Sequence, residues 1–282
     1  MYDKHNVLSI MNAHVAAIKS RPDEEFEKAI RQHYTSMQHA YNNNKLFYKT
    51  IFKSHRFLLA TMVVTEYFTS DTPLLSEVKK EFMGMNMLSE NTVSSFLIFL
   101  RISRRMTIHP WNGDRRKLIY AITDKGIGEI RDLISTMAYP LAGLFPAVDF
   151  TRKMQDETFL TTFFRNYAAV VTTRLFHFDM VENINIFILK DAGHKIMLSL
   201  YCNSQPVNDG RVVTFPLSRI SANCGVSRSH IKRIIIEAEQ KALIAYNRSS
   251  NAITLLPGFI NMFRNYIAYY FSSVCIGFGV AL

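Results

Sequence analysis

The chain has 282 residues, 33 Lys and Arg against 23 Asp and Glu for a formal net charge of +10, and 48% hydrophobic content. That length and apolar share support one large or two ordinary globular cores and exclude a disordered or low-complexity chain. The positive charge favours a polyanionic partner, because a cationic surface releases counterions from a phosphate backbone.

Cys202, Cys224 and Cys275 are far apart and lack CxxC spacing, so neither a disulfide framework nor a zinc site is expected. Residues Met1 to His5 lack the apolar run of a leader, and a reducing, cytoplasmic and nucleoid-associated location is the expectation.

Pro22-Asp23-Glu24-Glu25 puts proline and acids in a first turn, which predicts a helix running to about Tyr41 and broken at Asn42-Asn43-Asn44. A second helix is expected from about Leu46 to Phe68, so residues 1–70 read as N-terminal helices for support and dimerisation. Leu75 to Phe82 and Ser89 to Arg101 read as two helices with a longer connection within Met83-Gly84-Met85-Asn86-Met87. The second presents Ser89, Glu90, Asn91, Thr92, Ser94 and Ser95, a neutral to acidic face. After Arg101, Arg104 and Arg105 comes Asp114-Arg115-Arg116-Lys117, a basic turn. It feeds the alternating strand Leu118 to Ile122 and the helix start Thr123-Asp124-Lys125-Gly126. A hairpin that holds cations at its tip while its stem stays packed can reach phosphates or a narrow minor groove.

The run Asp-Arg-Arg, six residues, Thr-x-x-Gly, placed after a helix-turn-helix, resembles the wing of the MarR-type winged-helix regulators over roughly residues 55 to 137. The resemblance implies an obligate dimer built from terminal helices, a recognition helix in the major groove and a wing arginine in the minor groove. Carried over by position, Asp114 braces the wing through an ion pair with a neighbouring arginine, Arg115 or Arg116 enters the groove, and Ser89 to Ser95 face bases. Arg104, Arg105 and Lys117 join this cationic region, and residues 71–137 form the first winged-helix domain. The plainer alternative is a surface hairpin with solvated charges.

Residues 138–190 read as a helical linker in which Thr151 to Phe178 carries the apolar stripe Phe159, Phe163, Phe164, Tyr167, Val170, Val171 and Leu175. Such a stripe is core or a dimer contact, with a ligand pocket as the alternative. Residues 191–257 repeat the helix-turn-helix. Gly225 supplies a positive φ for the turn, Val226 plugs the gap, and Ser227 caps the next helix. That helix sorts Ile231, Ile234, Ile235 and Ala238 to one face and Arg228, Ser229, Lys232 and Arg233 to the other, where side chains reach base edges and phosphates. Ser227 and His230 count among the expected DNA contacts. A hairpin from Leu243 to Leu256 carries Arg248 in its turn. Leu75-Ser76-x-Val78 aligns with Leu217-Ser218-x-Ile220 at an offset of 142, and Ser89 with Ser227 at 138, so the first unit has four extra residues at its turn. The first unit is expected to grip by its wing and the second by its helix.

The segment 258–282 reads as a C-terminal apolar helix, and Tyr266 to Leu282 is free of charge. A packed or dimerising helix with Phe271, Val274 and Cys275 at the interface is expected rather than a membrane anchor. No Gly-rich phosphate loop, GxSxG elbow or HExxH helix is found, so no enzyme, cofactor or metal is expected. The fold expected is mainly α with small β-hairpin wings: two winged helix-turn-helix domains joined and flanked by long helices. The function expected is sequence-specific binding of double-stranded DNA by a homodimeric transcriptional regulator, with a small-molecule effector as a further partner. A plasmid-type replication initiator with tandem winged helices and a protein-interaction scaffold are the alternatives.

Overall fold

The computed structural model describes residues 3–53, 55–85, 89–176 and 179–282. The chain is mainly helical with two small antiparallel sheets. Helix α1 (Lys4–Lys19) is capped by Asp3, which accepts from the His5 amide, and α2 (Asp23–Asn43) starts after Pro22 with three acids in its first turn, as predicted. The helix predicted over Leu46 to Phe68 is instead two, α3 (Lys45–Ile51) and α4 (Arg56–Thr69). The chain leaves the helix at Phe52, whose carbonyl accepts from the Ala192 amide at 2.8 Å rather than from its own helix. Then follow α5 (Leu75–Met83), α6 (Glu90–Ile102), β1 (Met106–Trp111), β2 (Asp114–Ile122) and α7 (Asp124–Leu144). Asn86 and Met87 of the expected long connection lie outside the described residues.

The stretch predicted over Thr151 to Phe178 is likewise divided, into α8 (Phe150–Gln155) and α9 (Phe159–Thr173). Asp156 makes the break, accepting from both the amide and the hydroxyl of Thr158 at 2.7 Å. His177 and Phe178 lie outside the described residues. The second half runs α10 (Asn185–Ile188), α11 (Gly193–Cys202), β3 (Ser204–Val207), β4 (Gly210–Val213), α12 (Leu217–Cys224), α13 (Arg228–Gln240), β5 (Ile244–Asn247), β6 (Ala252–Leu255) and α14 (Pro257–Gly277). The β3–β4 hairpin was not anticipated. Its strand β4 pairs with β6, giving the order β3-β4-β6-β5, so the second unit's hairpin is anchored to a four-stranded sheet.

Two large hydrophobic clusters organise the molecule, beside a small third one of Val7, Met11, Ala169 and Leu175. One gathers α1, α2, α7, α9 and α11 to α14; the other holds α3 to α6 and the β1–β2 hairpin, and Tyr167 of α9 packs against both. Helix α14 lies inside the first. Phe271 is 0%, Val274 3% and Cys275 0% exposed within the single chain, so these residues are core and not the dimer interface expected of them. The cover comes from α1, where the Ser272 hydroxyl donates to the Met11 carbonyl at 3.0 Å, and from α9, where Gly277 passes so close to the Phe163 ring that any side chain would collide with it. The apolar surplus that argued for interlocked terminal helices is thus consumed internally. Among the described residues no helix is long and apolar enough to cross a membrane.

A buried polar relay crosses the same core. His33 on α2 bonds the Thr136 carbonyl through Nδ1 at 2.9 Å and His194 through Nε2 at 3.0 Å, and Nδ1 of His194 meets the Tyr266 hydroxyl at 2.8 Å. A carbonyl only accepts, so His33 Nδ1 carries the proton. His33 Nε2 then accepts from His194 Nε2, and His194 Nδ1 accepts from Tyr266. The whole chain of bonds is satisfied with both imidazoles neutral.

Burial lowers His33 to about 4, the bond to Thr136 offsetting only part of the desolvation. A proton taken up by the unfolded chain below about pH 6.5 therefore finds no place in the folded one, and stability present above that value is lost as pH falls towards 4. We expect the protein to be about 2 kcal/mol less stable near pH 5 than near pH 7, read from urea midpoints, with His33→Gln flattening most of the dependence. A flat profile in the parent protein would contradict the neutral relay. Deleting residues 266–282 removes core, so the expected outcome is insoluble protein and not a soluble monomer, read by the soluble fraction on expression.

Candidate nucleic-acid interfaces

In the first unit α6 follows α5 and is capped by Ser89: its hydroxyl accepts from the Thr92 amide at 3.3 Å and meets the Thr92 hydroxyl at 2.9 Å. Both side chains are thereby engaged in the cap, while Asn91 and Ser95 stand exposed on the outer face. That face continues into Ile98, 54% exposed, and Ile102, 77% exposed. It carries no cation before Arg101.

The hairpin that follows is held to the helices by its stem. Tyr120, 2% exposed, donates its hydroxyl to the Val63 carbonyl at 2.8 Å, and its amide donates to the Pro73 carbonyl beside the single bridge of Leu74 to Ile119. At the tip, Asp114 accepts from both the amide and Nε of Arg116 at 3.1 and 3.2 Å, an exposed pair within the hairpin. These bonds hold the Asp114 carboxyl below its usual range. Arg115, Arg116 and Lys117 are exposed, and the Lys117 ammonium lies 5.6 Å from the centre of the Trp111 ring. Trp111 was missed in the sequence; it folds over Gly113, where a Cβ would come within 2.6 Å of the ring. The Thr-x-x-Gly element has a physical basis as well: Thr123 caps α7, and a Cβ on Gly126 would stand 2.7 Å from the Arg105 carbonyl.

The second unit is the simpler. Gly225 has φ +72° and closes α12, Ser227 caps α13 by accepting from the His230 amide at 3.1 Å, and Ile231, Ile234, Ile235 and Ala238 are buried beneath. Arg228, Ser229, Lys232 and Arg233 are all exposed on one face, as predicted. His230 departs from expectation: its Nε2 meets the Asp191 carbonyl at 3.0 Å, which turns the ring towards the protein. Arg248 is ion-paired with Glu239 at 2.9 Å and is therefore partly neutralised as a phosphate contact. Arg219, stacked at 3.9 Å on Phe215 and exposed, is an additional cation beside α13. It lies on α12, outside the helix whose cations the sequence pattern marks.

Arg105 corrects the sequence reading most sharply. It is 5% exposed, binds Glu129 of α7 through Nε and an Nη at 2.6 Å each, and stacks 4.6 Å above Phe47. Asn44 adds a third bond to the same carboxylate at 2.6 Å. It cannot reach DNA; it locks the base of the hairpin to α7. Arg104, next to it, is exposed with φ +59°. Beside the pair lies a largely apolar cavity of about 110 Å³ between α3, α4, α7 and α9, with Phe163, Phe164 and Tyr167 in its wall. The stripe expected to be core or a dimer contact is core, and part of it lines this small cavity. A drug-sized ligand needs several hundred Å³, so this space takes such a molecule only after α4 and α7 part.

Removing one member of a buried pair strands the other charge. Arg105→Met is expected to cost about 3–5 kcal/mol in urea unfolding, and the double variant Arg105→Met/Glu129→Leu to recover most of it. A single variant as stable as the parent would show the pair to be dispensable.

No family model, curated protein or solved structure matches this chain.

Proposed function

We propose that the chain is a sequence-specific regulator that binds double-stranded DNA through two winged helices, in a cytoplasmic, nucleoid-associated setting. The observation that carries the reading is α13: a capped helix after a Gly225 turn, exposing Arg228, Ser229, Lys232 and Arg233 together on a chain of net charge +10. Arg228 near the N-terminus is the candidate for a bidentate base contact, and Lys232 and Arg233 are candidates for phosphates.

The first unit uses its wing. Cations Arg115, Arg116 and Lys117 sit at the hairpin tip with Trp111 beside them, whereas α6 offers Asn91, Ser95, Ile98 and Ile102. That apolar outer face of α6 favours a protein contact there over a phosphate-rich groove, which is the one feature on the side of an interaction scaffold. A single chain already carries two recognition helices, and with α14 buried the reading needs no second copy. A small apolar effector would act at the cavity beside Arg105 and Glu129, where parting α7 from α4 moves the hairpin base.

The two grips are separable in one set of salt titrations. Arg228→Ala is expected to cost about 1–3 kcal/mol at the preferred sequence and to relax choice at one base position. Neutralising Arg115 and Arg116 together should weaken all sequences alike and lower the slope of log K against log salt by about two. Unchanged slopes and affinities in mobility-shift titrations of both variants would remove duplex DNA as the partner, and selection of a preferred site from random duplexes would supply the target sequence for the measurement.

A further inference from the structure

Beneath the turn of the second helix-turn-helix, a cleft of about 260 Å³ opens between α3, α11 and the Asn223–Val226 turn. Its floor is Lys195, 1% exposed, whose ammonium donates to the Asn223 carbonyl at 2.8 Å and lies 3.0 Å from the centre of the Tyr41 ring. Lys49, Lys53 and Arg56 stand along the rim. None of the three has an ion-pair partner among the described residues, and Asp191 is the sole carboxylate lining the space. Three rim cations against one carboxylate leave the cleft mouth with uncompensated positive charge, which an anion with several oxygens relieves. Tyr48 and Phe52, stacked at 5.9 Å, give it an apolar wall beside the cations.

We propose that this cleft binds a small phosphate ester, held by Lys49, Lys53 and Arg56 with Lys195 beneath, and that its occupation is transmitted to α13 through the Asn223–Val226 turn. The floor argues for a small molecule rather than a duplex. A backbone phosphate on the broad surface of DNA reaches the rim, whereas Lys195 is closed to anything larger than a group that enters the cleft. Transmission has a defined route, because Lys195 already grips the Asn223 carbonyl and an entering phosphate competes for the same ammonium. The binding site stands without the DNA reading; only the transmission rests on it.

Burial brings Lys195 down to about 7. Of the other titratable groups facing it, burial pushes the Tyr41 hydroxyl up and the Cys224 thiol up to about 12, so both stay neutral near pH 7. The proton that accompanies a phosphate therefore goes to Lys195.

The test is calorimetry on the full chain with AMP and with inorganic phosphate as probes. AMP is expected to bind at one site per chain with uptake of a fraction of a proton near pH 7, measured by comparing two buffers. Lys49→Gln/Lys53→Gln, both exposed, should weaken it at least about tenfold without moving the melting temperature of the free protein. Lys195→Met should abolish the proton uptake. No saturable heat with either probe overturns the proposal, as does equal affinity in the rim variant. If the rim variant loses duplex affinity while the parent binds neither probe, the rim belongs to the DNA surface and the proposal falls. AMP binding that survives in a chain unable to bind DNA keeps the site and removes the transmission.

Discussion

The 21 residues of α14 carry one formal charge, Arg264, and their burial is the constraint on which the rest of the molecule is arranged. Each of Phe259, Phe263, Tyr266, Ile267 and Phe271 is 1% exposed or less, and removing such side chains from water contributes about 1.5–3 kcal/mol apiece. No two-layer packing can cover a helix that is apolar all round, so α1, α7, α9 and α11 enclose it. Arg264 shows the same constraint from the polar side: it reaches the edge of the bundle, where it bonds the Tyr201 hydroxyl, pairs with Asp23 and Glu27 of α2, and lies over Phe26. The helical segments flanking the two hairpin units therefore form a common body, and the units are attached to it rather than strung along a linker.

What was legible in the sequence was local. The α13 face was readable because burial and exposure alternate there at the helical period, with Gly225 and Ser227 marking the turn and the cap within three residues. The Asp114–Arg116 brace was readable because both partners lie in one tip. The misreadings of site residues mostly involve partners distant in the chain. Arg105 looks like a wing cation until Glu129 and Asn44 are brought to it, and His230 looks like a base contact until Asp191 is. The apolar excess of α14 was visible, but what covers it begins at Lys4, so the sequence could not distinguish an internal partner from a second subunit. The β3–β4 hairpin did carry a signal in Asn208-Asp209-Gly210, with Asn208 at φ +49°, but strands of four residues show too little alternation to register.

The two units divide their electrostatics in opposite ways. In the second, Glu239 pairs with Arg248 and Glu237 with Lys190, and Arg228, Lys232 and Arg233 on the exposed face of α13 are left without an ion pair among the described residues. In the first, the outer helix face is apolar and polar, and the cations are carried out to a hairpin tip where only Asp114 moderates them. Exposed pairs of this kind contribute little to stability, so their effect is on where positive potential is concentrated. A duplex lying along such a surface would meet a groove-filling helix at one end and a reaching hairpin at the other.

A single turn at the end of α2 touches both units. Tyr41 supports the second unit: its ring carries the Lys195 ammonium, and its hydroxyl lies where any side chain at Gly225 would have to go. Gly225 is thus required twice, by its positive φ and by this contact. Three residues on, Asn44 supports the first unit by bonding Glu129, the carboxylate that holds Arg105 at the hairpin base. A shift of this turn in either direction must loosen one attachment or the other, because packed interiors do not deform continuously. The contacts made by Tyr41 and Asn44 therefore link the two candidate DNA-reading surfaces through about one turn of helix, which borders the cleft directly at Tyr41 and meets the cavity through the Asn44–Glu129 bond.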